Sequence, residues 1–121
     1  MTASPEMPAV QTAKLATSTF MVLSQAGPQR DRARDSREQP HWDAHAAFID
    51  RLVAERFILL GGPLVDEGGA LLVVTARDEA DVRATLRPDP WYQHGILQLP
   101  RVARWQIFID EWPSAQGASR G

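Results

Sequence analysis

A chain of 121 residues with 44% apolar and 23% charged residues has the composition of one globular domain, which excludes two full-sized cores and intrinsic disorder. A net charge of -2 supplies no basic field, so nucleic acid is not an expected partner. The absence of cysteine removes disulfides, thiolate catalysis and thiolate metal sites; with no apolar stretch near the roughly 20 residues of a membrane span and no signal-like N-terminus, a cytoplasmic protein without membrane association is expected.

Residues 1–18 mix Pro, Ala, Thr and Ser without a sustained period and read as an N-terminal extension, and residues 113–121 read as a small, polar tail. The domain is expected over 19–112. Thr19 to Ser24 forms an apolar run suited to a buried strand, stopped by Ala26-Gly27-Pro28. Gln29 to Gln39 alternates charge sign without an apolar stripe and reads as a solvated loop. Pro40 and Asp43 suit the start of a helix. In that helix His45, Phe48, Ile49 and Leu52 fall at offsets of zero, three, four and seven, which places His45 on the buried face.

Phe57 to Leu60 is a second apolar run that ends in Gly61-Gly62-Pro63, and Asp66-Glu67-Gly68-Gly69 links it to Ala70 to Thr75 as a hairpin. Asp78 caps a second helix through about Leu86, and Pro88 to Trp91 is a turn. The alternation of Ile96 to Leu99 and of Trp105 to Ile109 predicts a last strand region, interrupted or bent at Pro100.

The order β-α-β-β-α-β is that of a ferredoxin-like α+β fold, a four-stranded antiparallel sheet with both helices on one face. Strands open to water on one face alternate apolar with polar residues, yet these are apolar at nearly every position. A second copy covering the open face, and hence a homodimer, is expected.

His45-Ala46-Ala47-Phe48, then Gly62-Pro63-Leu64-Val65-Asp66, then Asp89-Pro90-Trp91, in this order and on this topology, resemble the YciI-related (YCII) domain family. The resemblance implies a dimeric α/β-barrel assembly of ferredoxin-like subunits with a cleft near the helix-one histidine. It further implies a His/Asp pair, which falls here on His45 and Asp66, and lyase-like elimination chemistry that includes dehydrochlorination of aromatic compounds. This sequence departs from the family in carrying Trp42 where a basic residue often precedes the histidine, and in the long charged loop before it.

A histidine on an apolar helix face needs partners, since an unsatisfied buried polar group costs about 1 to 3 kcal/mol. Asp66 could fix its tautomer and leave the other ring nitrogen to take a proton. Trp42, Gly62, Pro63 and Trp91 are the candidate substrate-binding residues. A cofactor-independent lyase or isomerase acting on a small molecule is therefore the leading expectation. The alternative is a non-catalytic binding or accessory dimer in which the histidine and aspartate only hold the fold; an oxygenase of the wider dimeric α/β-barrel group is a third reading. His41 and His45 have the spacing of a shared metal site, but no third ligand is identifiable and none is expected.

Overall fold

The computed structural model describes residues 17–112. The expected N-terminal extension and C-terminal tail lie almost wholly outside them. Strand β1 (Ser18–Ala26) is followed by a 3-10 turn (Ser36–Glu38), helix α1 (Trp42–Ala54), strands β2 (Ile58–Pro63) and β3 (Ala70–Ala76), helix α2 (Glu79–Leu86), a short helix α3 (Pro90–Gln93) and strand β4 (Leu97–Arg104). The strands form one sheet in the order β2-β3-β1-β4 with every neighbouring pair antiparallel. This is the ferredoxin-like arrangement the element order predicts. No helix among the described residues is long and apolar enough to cross a membrane.

Residues facing each other across an antiparallel ladder point to the same side of the sheet, so the register sorts the two faces. On one face Phe20 lies opposite Val74, and Val22 lies between Leu72 and Val102. Phe48 and Leu52 of α1 and Val82 and Leu86 of α2 pack on this row with Ile58 and Ala76. Each such side chain removed from water contributes about 1.5 to 3 kcal/mol. The helical stripe expected at 48, 49 and 52 is this contact.

On the other face, Leu60, Val73, Met21 and Ala103 form a row across all four strands, and Gly62, Leu71, Leu23 and Arg101 form the next. No helix covers them. The unbroken apolar character of the strands therefore has two causes, a core on one side and an apolar surface on the other.

A second, smaller cluster of Trp91, Ile96 and Leu97, joined by Trp42 and Tyr92, ties α3 to the start of β4. Tyr92 reaches across to β1, where its hydroxyl is hydrogen bonded to Ser24 Oγ. Two close backbone approaches close the same end of the molecule. Gly27 donates its N–H to the Ile96 carbonyl at 2.8 Å, and a Cβ at position 27 would collide with the Gly95 carbonyl. Only glycine fits there.

Three elements differ from the sequence expectation. The Pro88–Trp91 turn is instead the entry to α3, with Asp89 as its N-cap and Pro90 in its first turn, a placement that suits a residue lacking a backbone donor. The final strand runs through Pro100 and ends at Arg104; the ladder to β1 is irregular between Leu23 and Gln25, opposite the Leu99–Pro100 step, which accommodates proline on an edge strand. Residues 105–112 carry the expected alternation but form no regular strand. The pairing of β1 with β4 ends at Phe20 and Arg104, followed by one further backbone bond from Trp105 N–H to the Thr19 carbonyl at 2.8 Å.

The charged loop is solvated as expected, but its backbone is organised around one buried side chain. Gln39 accepts from the Asp31 N–H at 2.8 Å and donates to the Asp31 and Arg34 carbonyls at 2.7 and 3.0 Å. Replacing Gln39 by Ala leaves these groups without their partner, and a loss of about 2 kcal/mol, or roughly 10 °C in Tm, is expected in a thermal melt.

The phenol of Tyr92 is pushed up from its ordinary pKa, first by burial and also by the negative charge of Asp89, with the Ser24 hydrogen bond opposing both. The fold thus favours the neutral phenol. Its contribution to stability is intact below the unfolded value near 10 and is lost as pH rises from there through the folded value. Because the chain has a single tyrosine, tyrosinate absorbance reports this group alone: its midpoint should lie above 10 in the native protein and return to about 10 in denaturant.

Candidate functional site

Helix α1 begins at the end of the sheet where β1 stops, so its first turn, with His45, meets the α2–α3 junction. Its N-cap, His41, adopts a left-handed backbone with φ 65°, a conformation that histidine tolerates better than most residues. That geometry turns the chain from Pro40 into the helix. The Pro40 carbonyl accepts the indole N–H of Trp91 at 2.9 Å, and the His41 ring stacks on His94 with centroids 3.9 Å apart. The two contacts hold the start of α1 against α3.

Between them lies a histidine–aspartate pair. His45 Nδ1 is 2.8 Å from Asp89 Oδ1 and 3.0 Å from Oδ2. Since a carboxylate can only accept, Nδ1 carries the proton in this pair and Nε2 holds the lone pair of the neutral ring. Among the described residues Nε2 has no hydrogen-bond partner. The side chain of His45 is 12% exposed and that of Asp89 2%. Asp89 also accepts the Trp91 backbone N–H at 2.9 Å, so one buried carboxylate caps α3 and fixes the imidazole.

Aromatic rings complete the surroundings. His45 lies flat on Trp91, with centroids 3.7 Å apart and planes 6° from parallel. Trp42 leans on both, at 5.8 Å from the His45 ring and 5.7 Å from that of Trp91. Of the candidate residues read from sequence, the structure brings His45, Trp42 and Trp91 together.

It does not join Asp66 to them. Asp66 is exposed in the link between β2 and β3, where Leu64 N–H donates to the Gly69 carbonyl and Gly68 N–H to that of Leu64. The imidazole donor expected for Asp66 is taken by Asp89. The signal that could have found Asp89 was its place immediately before Pro90 at a helix start, where an aspartate caps backbone donors.

Gly62 and Pro63 stand elsewhere again. They line a cleft of about 570 Å³ on the open face of the sheet with Met21, Leu71, Val73, Trp105 and Trp112. A Cβ at Gly62 would meet nothing within 4 Å, so this glycine leaves space in the cleft. A smaller cleft of about 240 Å³ lies between α2 and β4, lined by Arg83, Arg87, Tyr92 and Gln98 among others. Neither is lined by His45, Asp89 or Asp66.

Of the two helix-one histidines, His41 stacks on His94 and His45 is bonded to Asp89. No group of three His, Cys, Asp or Glu among the described residues is placed to hold a metal ion.

Comparison with known proteins gives a consistent picture. No curated protein matches the chain. Among solved structures it is similar to the 5-chloro-2-hydroxyhydroquinone dehydrochlorinase TftG from Burkholderia phenoliruptrix AC1100 in complex with 2,5-dihydroxybenzoquinone. The TM-score is 0.56 at 22% identity, over 72% of this chain and 93% of that one, a likeness of fold. The model of the YCII-related domain matches residues 18–106, and on that match, which covers every strand and helix described above, the chain belongs to the YCII-related domain family.

Proposed function

We propose that this protein is a cofactor-independent lyase that removes HX from a small cyclic or aromatic molecule, with His45 as the base and Asp89 as the residue that orients it. One observation carries the reading: an imidazole whose Nδ1 is fixed by a buried carboxylate and whose Nε2 has no partner among the described residues. A lone pair so positioned is available to a substrate proton. The dehydrochlorinase activity named for TftG supports the reaction class, on a fold that hosts more than one chemistry.

In such a step on a chlorinated polyhydroxy ring in its keto form, with hydrogen and chlorine on one tetrahedral carbon, Nε2 takes a proton from a ring hydroxyl, the O–H pair becomes a carbonyl bond, the adjacent ring π bond shifts onto the chlorine-bearing carbon, and chloride departs with its own pair. The imidazolium that results lies between the Asp89 carboxylate and the π face of Trp91, both of which stabilise a cation. It then returns its proton to water. Trp42, standing over His45 where a basic residue is common in the family, offers an aromatic surface in place of a charge. This favours a flat, weakly charged substrate over a strongly anionic one.

The probe compound is 5-chloro-2-hydroxyhydroquinone, with released chloride as the readout. His45→Ala should lower chloride release by about 10²-fold or more, the scale of a general base, while circular dichroism stays native. Asp89→Asn should lower it more than Asp66→Asn does. The reverse order would restore to Asp66 the orienting role read from the sequence, and full activity of His45→Ala would remove the mechanism.

A second reading is favoured by the clefts, neither of which is lined by His45: a non-catalytic binding or accessory protein in which His45 and Asp89 clamp α1 to α3. Under it His45→Ala and Asp89→Asn lower Tm, and the protein of natural sequence releases no chloride.

We also propose that two copies associate through the open face of the sheet. The support is the apolar row of Leu60, Val73, Met21 and Ala103, with Leu71 and Leu23 beside it, on a face no helix covers. Sedimentation velocity at micromolar concentration should give a dimer, and Met21→Arg should give a monomer.

A further inference from the structure

Eight residues that follow β4 concentrate the exposed apolar surface of the chain. Phe108 is 86% exposed, Ile109 80% and Trp112 67%, with Trp105 and Ile107 also exposed. Single exposed apolar residues are ordinary; five within eight residues form a patch that marks an interaction site. The segment has no regular secondary structure of its own, so its side chains are not spent on an internal core.

Its two ends are anchored on its own subunit. Trp105 is tied to β1 through the Thr19 carbonyl, and Trp105 and Trp112 both line the open-face cleft with Met21, Leu71 and Val73. The middle, Phe108-Ile109-Asp110-Glu111, hereafter the hook, is exposed at all four residues. The hook therefore combines two large apolar groups with two carboxylates.

The open face of the sheet has the complementary composition. Leu71 and Leu23 continue in register to Arg101 on β4, an exposed cation on a face that also carries the Thr19–Thr75 pair and whose cleft is lined in part by Arg104. Among the described residues, no ion pair involves Arg101, Asp110 or Glu111.

We propose that in the dimer the hook of each copy enters the open face of the other, with Phe108 and Ile109 against Leu23 and Leu71 and the carboxylates of Asp110 and Glu111 beside Arg101. This rests on the proposed association of two copies and adds which segment mediates it. A twofold arrangement makes the contact twice, hook to face and face to hook. Large aromatic anchors at the centre of a small interface carry most of its affinity.

Because the chain has no cysteine, introduced thiols report one proximity at a time. Full-length chains bearing Phe108→Cys are mixed with differently tagged chains bearing Leu23→Cys, oxidised, and run on a denaturing gel. A disulfide between the two tagged chains is expected in high yield. A dimer by sedimentation that gives no such link, while a chain carrying both substitutions links within itself, would overturn the hook and leave the dimer standing. A monomer of natural sequence would overturn both. As an independent readout, Arg101→Glu should weaken association about ten-fold or more, and combining it with Asp110→Lys and Glu111→Lys should restore it. Failure of the charge exchange to restore the dimer would remove the ionic part of the contact.

Discussion

A carboxylate taken out of water must find donors for its oxygens, and where it finds them decides which pieces of chain are held together. Asp89, 1% exposed, finds one in the backbone of α3 and one in the imidazole of α1. His45 lies 44 residues from Asp89 in sequence, so the carboxylate is a cross-link between the two halves of the helical layer. Much of the surrounding geometry follows. The α3 turn is fixed by its cap, Trp91 is set by that turn, and the flat face of Trp91 receives the His45 ring that the same carboxylate holds. The Pro40 carbonyl then closes the circuit through the indole N–H.

The legible part of this arrangement was the part governed by local periodicity. Phe48 and Leu52 on α1, the apolar strands, the Gly-rich hairpin link and the Asp78 cap all follow from spacing and residue type, and the topology follows from their order. The position of His45 on an inward helix face was readable for the same reason. Its partner was not, because Asp66 and Asp89 each stand in a turn with a local use for the side chain. Only the three-dimensional meeting of α1 and α3 separates them: Asp89 lies under the first turn of α1, and Asp66 lies in the solvent-exposed link between β2 and β3. Gly62 and Pro63 illustrate the same limit. They end a strand on the sheet's open face rather than beside His45, since which face a strand end presents depends on register.

The final segment was misread for a related reason. Alternation in residues 105–109 has the period of a strand, but a strand needs a partner as well as a period. Past Arg104 the ladder with β1 runs out, and the alternating side chains remain as exposed apolar surface.

Both outer strands of the sheet contain a proline, Pro63 in β2 and Pro100 in β4. A proline has no amide hydrogen to offer an incoming strand, and the irregular pairing beside Pro100 further disrupts a neat template. The molecule is thus poorly suited to growing sideways by strand addition, however apolar its open face. Contacts made through a face with twofold symmetry close on themselves after two copies, whereas contacts made through edges repeat without limit. Exposed apolar surface beside open strand edges is a route to fibre growth, and a proline in each outer strand obstructs that route.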